Sequence, residues 1–166
     1  MSKPTKYYSE LQENRIADYL KWHTVVGSGA TATKPGDIFS DQWLGECKTH
    51  TKKSDKIVFK LSHWRKIKKE AQSKFKYPIL FTDNGTQNIH DTWCLFDCKL
   101  NCPQNANLIY TTTKCNESSL TFNLTSLNAV YNSVGDLPCK IIQIEFDDST
   151  LGIMPLTEFQ TYFCEW

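Results

Sequence analysis

Long hydrophobic runs are absent from this sequence of 166 residues. No stretch of about 18 apolar residues occurs, so the pattern excludes a membrane-spanning helix. The opening segment 1–6 also lacks the apolar stretch that marks a secretory signal peptide. We therefore expect a cytoplasmic, intracellular protein with no membrane partner.

Paired cysteines and metal-binding histidine spacings are also lacking. The seven cysteines are an odd number, and without a secretion signal we expect mostly reduced thiols. Three residues, not the usual two, separate Cys94 from Cys98 and Cys98 from Cys102. Cys94 and Cys98 also fall on one face of a predicted strand, too far apart to share an ion easily. The four histidines show no HxxxH spacing, which favours surface or core positions over metal ligation.

The near-zero net charge conceals an uneven distribution. The whole chain carries a net charge of +1, but the segment 48–76 holds eleven Lys and Arg against Asp55 and Glu70, a balance of +9 that leaves −8 for the remainder. A concentrated basic segment is typical of a nucleic-acid-binding surface, and a solvated face is the alternative. We predict DNA contacts from seven of its residues: Lys52, Lys53, Lys56, Lys60, Arg65, Lys66 and Lys69.

The pattern of apolar residues predicts a single α/β domain. Helices are predicted over residues 10–22, 62–76 and 155–163, with Ser9 and Ser62 as N-caps. Strands are predicted over 24–26, 43–48, 78–81, 93–96 and 140–146, with weaker signals at 108–110 and 120–122, a lysine-rich loop before residue 62 and a hairpin turn at 147–150. We expect a central mixed sheet of about five strands flanked by helices, with a core over 1–100 and an insertion plus C-terminal extension over 101–166 packed on the same domain.

Two carboxylates with a lysine beside them stand just before the basic segment. Asp37 follows the Pro35-Gly36 turn and Glu46 lies on the next strand, so the two would meet across a hairpin. The two-residue period of a strand places Glu46 and Lys48 on one face, with the Cys47 carbonyl as a further ligand. These oxygens suit Mg²⁺, with Mn²⁺ as a substitute, and such a cation promotes phosphodiester hydrolysis. Lys48 would orient or help deprotonate the attacking water.

A fourth acidic group is predicted on the first helix. Glu13 lines up with Ile16, Ala17 and Leu20, so its carboxylate heads the inward-facing stripe. Glu10 is equally eligible, and either residue is also compatible with a solvated acid favoured by the helix dipole. Glu46 and Lys48 alone are more typical of a surface ion pair than of a catalytic site. The order of the elements is what favours a catalytic interpretation.

That order resembles the PD-(D/E)xK nuclease superfamily, and within it the archaeal-type Holliday junction resolvases. The similarity covers residues 10–96 and is carried by Glu13-x-x-Ile16, Val25-Val26-Gly27-Ser28-Gly29, Gly36-Asp37, Glu46-Cys47-Lys48 with the basic residues after it, and Phe75-x-Tyr77-Pro78-Ile79-Leu80. The resemblance implies a restriction-endonuclease-like fold. It places the metal ligands at Asp37 and Glu46, the catalytic lysine at Lys48, the helix glutamate at Glu13 and an active-site serine at Ser28.

The resemblance also implies a homodimer that makes paired cuts in four-way DNA junctions with Mg²⁺. The leading interpretation is therefore a junction resolvase of phage or mobile-element type. A restriction or repair nuclease on the same scaffold is the second interpretation, and a DNA-binding protein that has lost catalysis is the third. Cleavage of a junction compared with cleavage of a linear duplex separates them.

Overall fold

The computed structural model describes residues 4–27, 34–110, 118–146 and 149–164. The α-helices in these ranges are α1 (Thr5–Leu20), α2 (Leu61–Ser73), α3 (Cys98–Asn101), α4 (Leu124–Asn132) and α5 (Leu156–Phe163). The strands are β1 (His23–Thr24), β2 (Ile38–Phe39), β3 (Trp43–Lys48), β4 (Lys56–Lys60), β5 (Tyr77–Thr82), β6 (Trp93–Asp97), β7 (Asn107–Tyr110), β8 (Ser119–Asn123), β9 (Lys140–Phe146) and β10 (Ser149–Pro155). A 3-10 turn spans Ile89–Asp91.

The strands form one large mixed sheet and one small sheet. The large sheet has eight strands in the order β1-β2-β3-β5-β6-β10-β9-β7, and β4 pairs with β8 in the small sheet. The pairs β3-β5 and β7-β9 are parallel, and the other neighbours in the large sheet are antiparallel. The parallel step from β3 to β5 requires a crossover, which α2 provides. The expected α/β class with a mixed central sheet is confirmed.

The expected number of about five strands is wrong. The large sheet alone has eight among the described residues, because β2, β7 and β10 join the five strands that the sequence predicted most strongly. Strand β4 lies where a lysine-rich loop was predicted. Its residues alternate between exposed and buried, with Ile57 and Phe59 turned inward, which is the two-residue period of a half-buried strand.

Both predicted serine N-caps are also wrong. Helix α1 begins at Thr5 after Pro4, whose fixed φ of −64° suits a helix entrance, and Ser9 lies inside the helix, where its hydroxyl donates to the Thr5 carbonyl. Strand β4 runs directly into α2, so Lys60 takes the N-cap position and Ser62 falls within the first turn. The apolar stripe expected on α2 comprises Trp64, Ile67, Ala71 and Phe75. The first three are buried, but Phe75 lies beyond the end of the helix at Ser73 and is 99 % exposed, so that part of the prediction is wrong.

An aromatic cluster anchors α5 to the large sheet. Phe159 is fully buried and contacts the rings of Trp43, Phe81 and Phe96 at centroid distances of 5.1, 6.3 and 6.1 Å. Phe163 stacks on Phe159 at 4.9 Å. Aromatic pairs of this kind contribute about 0.5–1.5 kcal/mol each beyond the burial of apolar area. They fix β3, the strand that carries Glu46 and Lys48, from the side opposite those two residues.

The remaining expectations concern the cysteines, membrane-spanning helices and the turn predicted at 147–150. The six cysteines that the structure describes are free thiols. No helix within the described ranges is long and apolar enough to cross a membrane. The first half of the hairpin turn predicted at 147–150 lies outside the described residues. Its second half is wrong as a turn, because β10 begins at Ser149 and pairs antiparallel with β9.

Candidate functional site

The β2-β3 hairpin brings Asp37 and Glu46 together. Ile38 pairs with Gly45, and the backbone N–H of Asp37 donates to the Gly45 carbonyl at 2.8 Å, which places Asp37 beside Glu46 at the next step of the ladder. The Asp37 carboxylate accepts a 2.8 Å hydrogen bond from the Cys47 N–H. Gly36 enters this hairpin with a φ of +68°, and a Cβ there would lie 2.7 Å from the Leu44 side chain. Glycine is therefore required immediately before the aspartate.

Two lysines hold the Glu46 carboxylate. Lys48 lies 2.6 Å from Oε1 of Glu46 and 3.9 Å from Oδ2 of Asp37. Lys66, from α2, donates to Oε2 of Glu46 at 2.8 Å and lies 3.8 Å from Glu70. The Glu46 side chain is only 3 % exposed. A buried carboxylate with a cationic partner at each oxygen is compensated in charge and in hydrogen bonding.

The pKa values of Asp37 and Glu46 move in opposite directions. Burial first and the Glu46 charge second raise the pKa of Asp37 to about 6, and Lys48 and the Cys47 N–H only partly oppose the rise. Burial also opposes ionisation of Glu46, but Lys48 and Lys66 outweigh it and hold the pKa of Glu46 below its ordinary value. Burial lowers the pKa of Lys48, whereas Glu46 and Asp37 raise it above its ordinary value overall. Lys48 is therefore a cation at neutral pH.

Helix α1 presents Glu13 to these groups. Burial first and the nearby Asp37 charge second raise the pKa of Glu13 to about 7, and Lys48 opposes the rise. Glu10 is exposed and pairs with Lys6 at 3.6 Å on the outer face of the helix. The geometry therefore favours Glu13 over Glu10 as the helix carboxylate. We call Glu13, Asp37 and Glu46 the acidic cluster.

A buried hydrogen-bond network behind the acidic cluster was not predicted from the sequence. Gln12, the neighbour of Glu13, donates to the Lys48 carbonyl at 2.8 Å and to Asp83 at 2.9 Å. Asp83 also accepts hydrogen bonds from Thr49 and from the Gly85 N–H, both at 2.7 Å. The network ties α1 and the end of β5 to the backbone of Lys48. Its only sequence signal was the position of Gln12 one residue before Glu13.

The predicted DNA-binding residues are all exposed. We call them the basic surface: Lys52, Lys53, Lys56, Lys60, Arg65, Lys66 and Lys69. Lys56 and Lys60 stand at the two ends of β4, and the last three members lie on α2. Lys66 belongs both to this surface and to the site, because it contacts Glu46.

His63 lies between the basic surface and the acidic cluster and was missed as a site residue. Burial lowers its pKa, and the positive charges of Lys48, Lys60 and Lys66 lower it further despite the opposing effect of Glu46. It is therefore a neutral imidazole at neutral pH. Its position three residues before Lys66 on the same helix was the available signal.

The donor set fits a hard cation in its chemistry. Carboxylate oxygens are the ligands that Mg²⁺ prefers. Burial first, and neighbouring carboxylates second, raise the pKa values of Glu13 and Asp37. Within the part of the chain that the structure describes, no group of three or more His, Cys, Asp or Glu side chains is arranged to hold a metal ion. Lysine ammonium groups hold the Glu46 carboxylate instead.

The structure brings some of the predicted site residues together but does not describe all of them. Glu13, Asp37, Glu46 and Lys48 lie together, and the Cys47 thiol is buried, which leaves only its backbone for the predicted role. Ser28 lies outside the described residues. Comparison of the chain with protein-family models, curated proteins and solved structures gives no match.

Proposed function

We propose that the chain is a magnesium-dependent endonuclease that cleaves branched DNA, with the four-way junction as its substrate. The observation that carries the proposal is the acidic cluster with Lys48 in contact with both Asp37 and Glu46, beside the basic surface. The sequence resemblance to the junction resolvases agrees with it. A phosphodiesterase needs acidic oxygens, a fixed cation and a positive surface that holds the polyanion, and the chain provides each of these.

Each residue of the site has a separate role in this proposal. Asp37, Glu46, the Cys47 carbonyl and Glu13 would hold Mg²⁺, which stabilises developing charge on the phosphate and lowers the pKa of a bound water. Lys48, charged at neutral pH, donates to the phosphate oxygens and neutralises charge in the transition state. Gln12 acts through Lys48, because it holds the carbonyl of that residue in place.

The basic surface would hold the DNA backbone. Its members are exposed lysines and one arginine, which bind phosphate without reading bases. Resolution of a four-way junction needs two cuts on opposed strands, and this chain has a single acidic cluster among its described residues. We therefore propose a homodimer, whose two-fold symmetry matches that of the junction. Sedimentation should show about twice the chain mass of 19.2 kDa. A protein that stays monomeric both in the absence of DNA and when bound to it would refute the homodimer.

The test is cleavage of a four-way junction and a matched linear duplex with Mg²⁺, for the natural chain and for Glu46→Gln. We expect symmetric nicks at the junction for the natural chain, and no cuts with EDTA. Glu46→Gln should abolish cleavage but change DNA affinity by no more than a few-fold, since it leaves the basic surface intact. Cleavage of linear DNA would favour the restriction or repair interpretation. Normal cleavage by Glu46→Gln would refute the site.

A DNA-binding protein without catalysis is the second candidate. The contacts of Lys48 and Lys66 with both oxygens of Glu46 favour it, because they compensate the carboxylate without a metal. In that case the natural chain would bind junction DNA tightly, produce no cuts with Mg²⁺ or Mn²⁺, and lose no affinity in EDTA. The same cleavage assay, read together with DNA binding, separates the two candidates.

A further inference from the structure

Lys66 differs from the other members of the basic surface in its contact with the acidic cluster. Lys66 forms an ion pair with Oε2 of Glu46 at 2.8 Å, and Lys48 forms one with Oε1 at 2.6 Å. Both oxygens of the carboxylate therefore have a lysine partner. A divalent cation on Oε2 would lie next to the Lys66 ammonium and be repelled by it. Metal binding at Glu46 therefore competes with this ion pair.

Lys66 is better placed than Lys48 to release Glu46. Its side chain is 49 % exposed and has Glu70, one helical turn away at 3.8 Å, as an alternative partner. Lys48 is 36 % exposed and is held by Asp37 as well as by Glu46. If Lys66 leaves, the Lys48 contact still compensates part of the Glu46 charge. The flexible stem of a lysine allows its ammonium to reach a phosphate at the surface without movement of α2.

We infer that Lys66 is a gate on Glu46: it occupies Oε2 in the free protein and transfers to a DNA phosphate on binding, which frees Oε2 for the divalent cation. The inference rests on the proposed function and deepens it. Its consequence is that DNA and metal favour each other's binding through one side chain. By linkage, the factor by which DNA raises metal affinity equals the factor by which metal raises DNA affinity. The free protein would then bind the cation weakly, away from its substrate.

The test is Mn²⁺ affinity, measured by electron paramagnetic resonance with and without a phosphorothioate four-way junction that resists cleavage. Mn²⁺ bound by the DNA alone is the same for every variant and can be subtracted. In the natural chain we expect the junction to raise Mn²⁺ affinity about tenfold, a factor that corresponds to about 1.4 kcal/mol. Lys66→Ala should bind Mn²⁺ about tenfold more tightly without DNA and show no further gain with it.

Two variants serve as matched controls. Lys74→Ala removes an exposed lysine at the end of the same helix, outside the basic surface, and should leave the Mn²⁺ affinity of the free protein unchanged. Lys66→Arg keeps the positive charge and should restore weak binding in the free protein.

The outcomes separate the gate from the proposed function. If the natural chain binds Mn²⁺ and cuts junctions while Lys66→Ala has unchanged Mn²⁺ affinity, only the gate is overturned. An equal effect of Lys74→Ala also overturns it, because general electrostatics would then explain the gain. If the natural chain binds no Mn²⁺ with or without DNA, the metal-dependent function is refuted and the gate with it.

Discussion

Replacement of Asp37 by asparagine should stabilise the metal-free fold at alkaline pH. The folded pKa of about 6 lies above the ordinary 3.8, so the folded state binds the proton more tightly than the unfolded state. The resulting stability is fully present below pH 3.8 and is lost as the pH rises to about 6. At about 1.36 kcal/mol per pKa unit, the loss is roughly 3 kcal/mol. Asparagine carries no charge at any pH, and its amide oxygen can still accept from the Cys47 N–H.

Urea unfolding in EDTA, followed by tryptophan fluorescence at pH 4 and pH 8, measures this difference. Relative to the natural chain, Asp37→Asn should gain about 2–3 kcal/mol in the free energy of unfolding between the two pH values. Asp41→Asn, at an exposed position, controls for the loss of one carboxylate. If the variant gains nothing at pH 8, burial and the Glu46 charge do not oppose ionisation of Asp37, and the reasoning on the acidic cluster fails.

Two further predictions concern the basic surface and the loop that contains Gly85. Replacement of Lys52, Lys53 and Lys56 by alanine should reduce the log–log salt slope of DNA affinity by about 2–3, at about 0.9 per lost phosphate contact. An unchanged slope in a salt titration would show that DNA does not bind at these three lysines. Gly85→Ala should cost about 2–4 kcal/mol of unfolding free energy, because its Cβ would lie 2.3 Å from the Lys52 carbonyl oxygen at a φ of +88°. Gly135→Ala, with a φ of +69° and open space, should cost only about 1 kcal/mol; equal costs in urea unfolding would refute the close contact.

Local sequence patterns predicted most of the helices and the strong strands. The stripe of Trp64, Ile67 and Ala71 identifies α2 because its period is a property of the helix itself. Strand β4 could not be predicted with the same ease, since its short alternation is surrounded by lysines and its partner β8 lies far along the chain. The start of α1 was missed because Ser9 offers a capping signal four residues inside a helix that Pro4 had already begun.

The site was predictable where adjacent strands determine it. Asp37 and Glu46 meet because a short hairpin connects them, and Lys48 follows from the two-residue period of β3. The contacts of Lys66 and Gln12 depend instead on how helices pack against the sheet. Both residues have several equivalent directions on an isolated helix, and only the tertiary structure selects the one that faces Glu46 or Lys48.

The pairing of β4 with β8 makes the basic surface a joint product of both halves of the chain. The ladder joins Lys56 to Asn123 and Lys60 to Ser119, and the Leu61 N–H at the start of α2 donates to the Ser118 carbonyl at 2.9 Å. A sequence change in β8 would therefore reorient the basic surface, and the helix that carries Lys66, without altering a residue of the acidic cluster. In such an arrangement, the orientation of the basic surface can change while the acidic cluster stays the same.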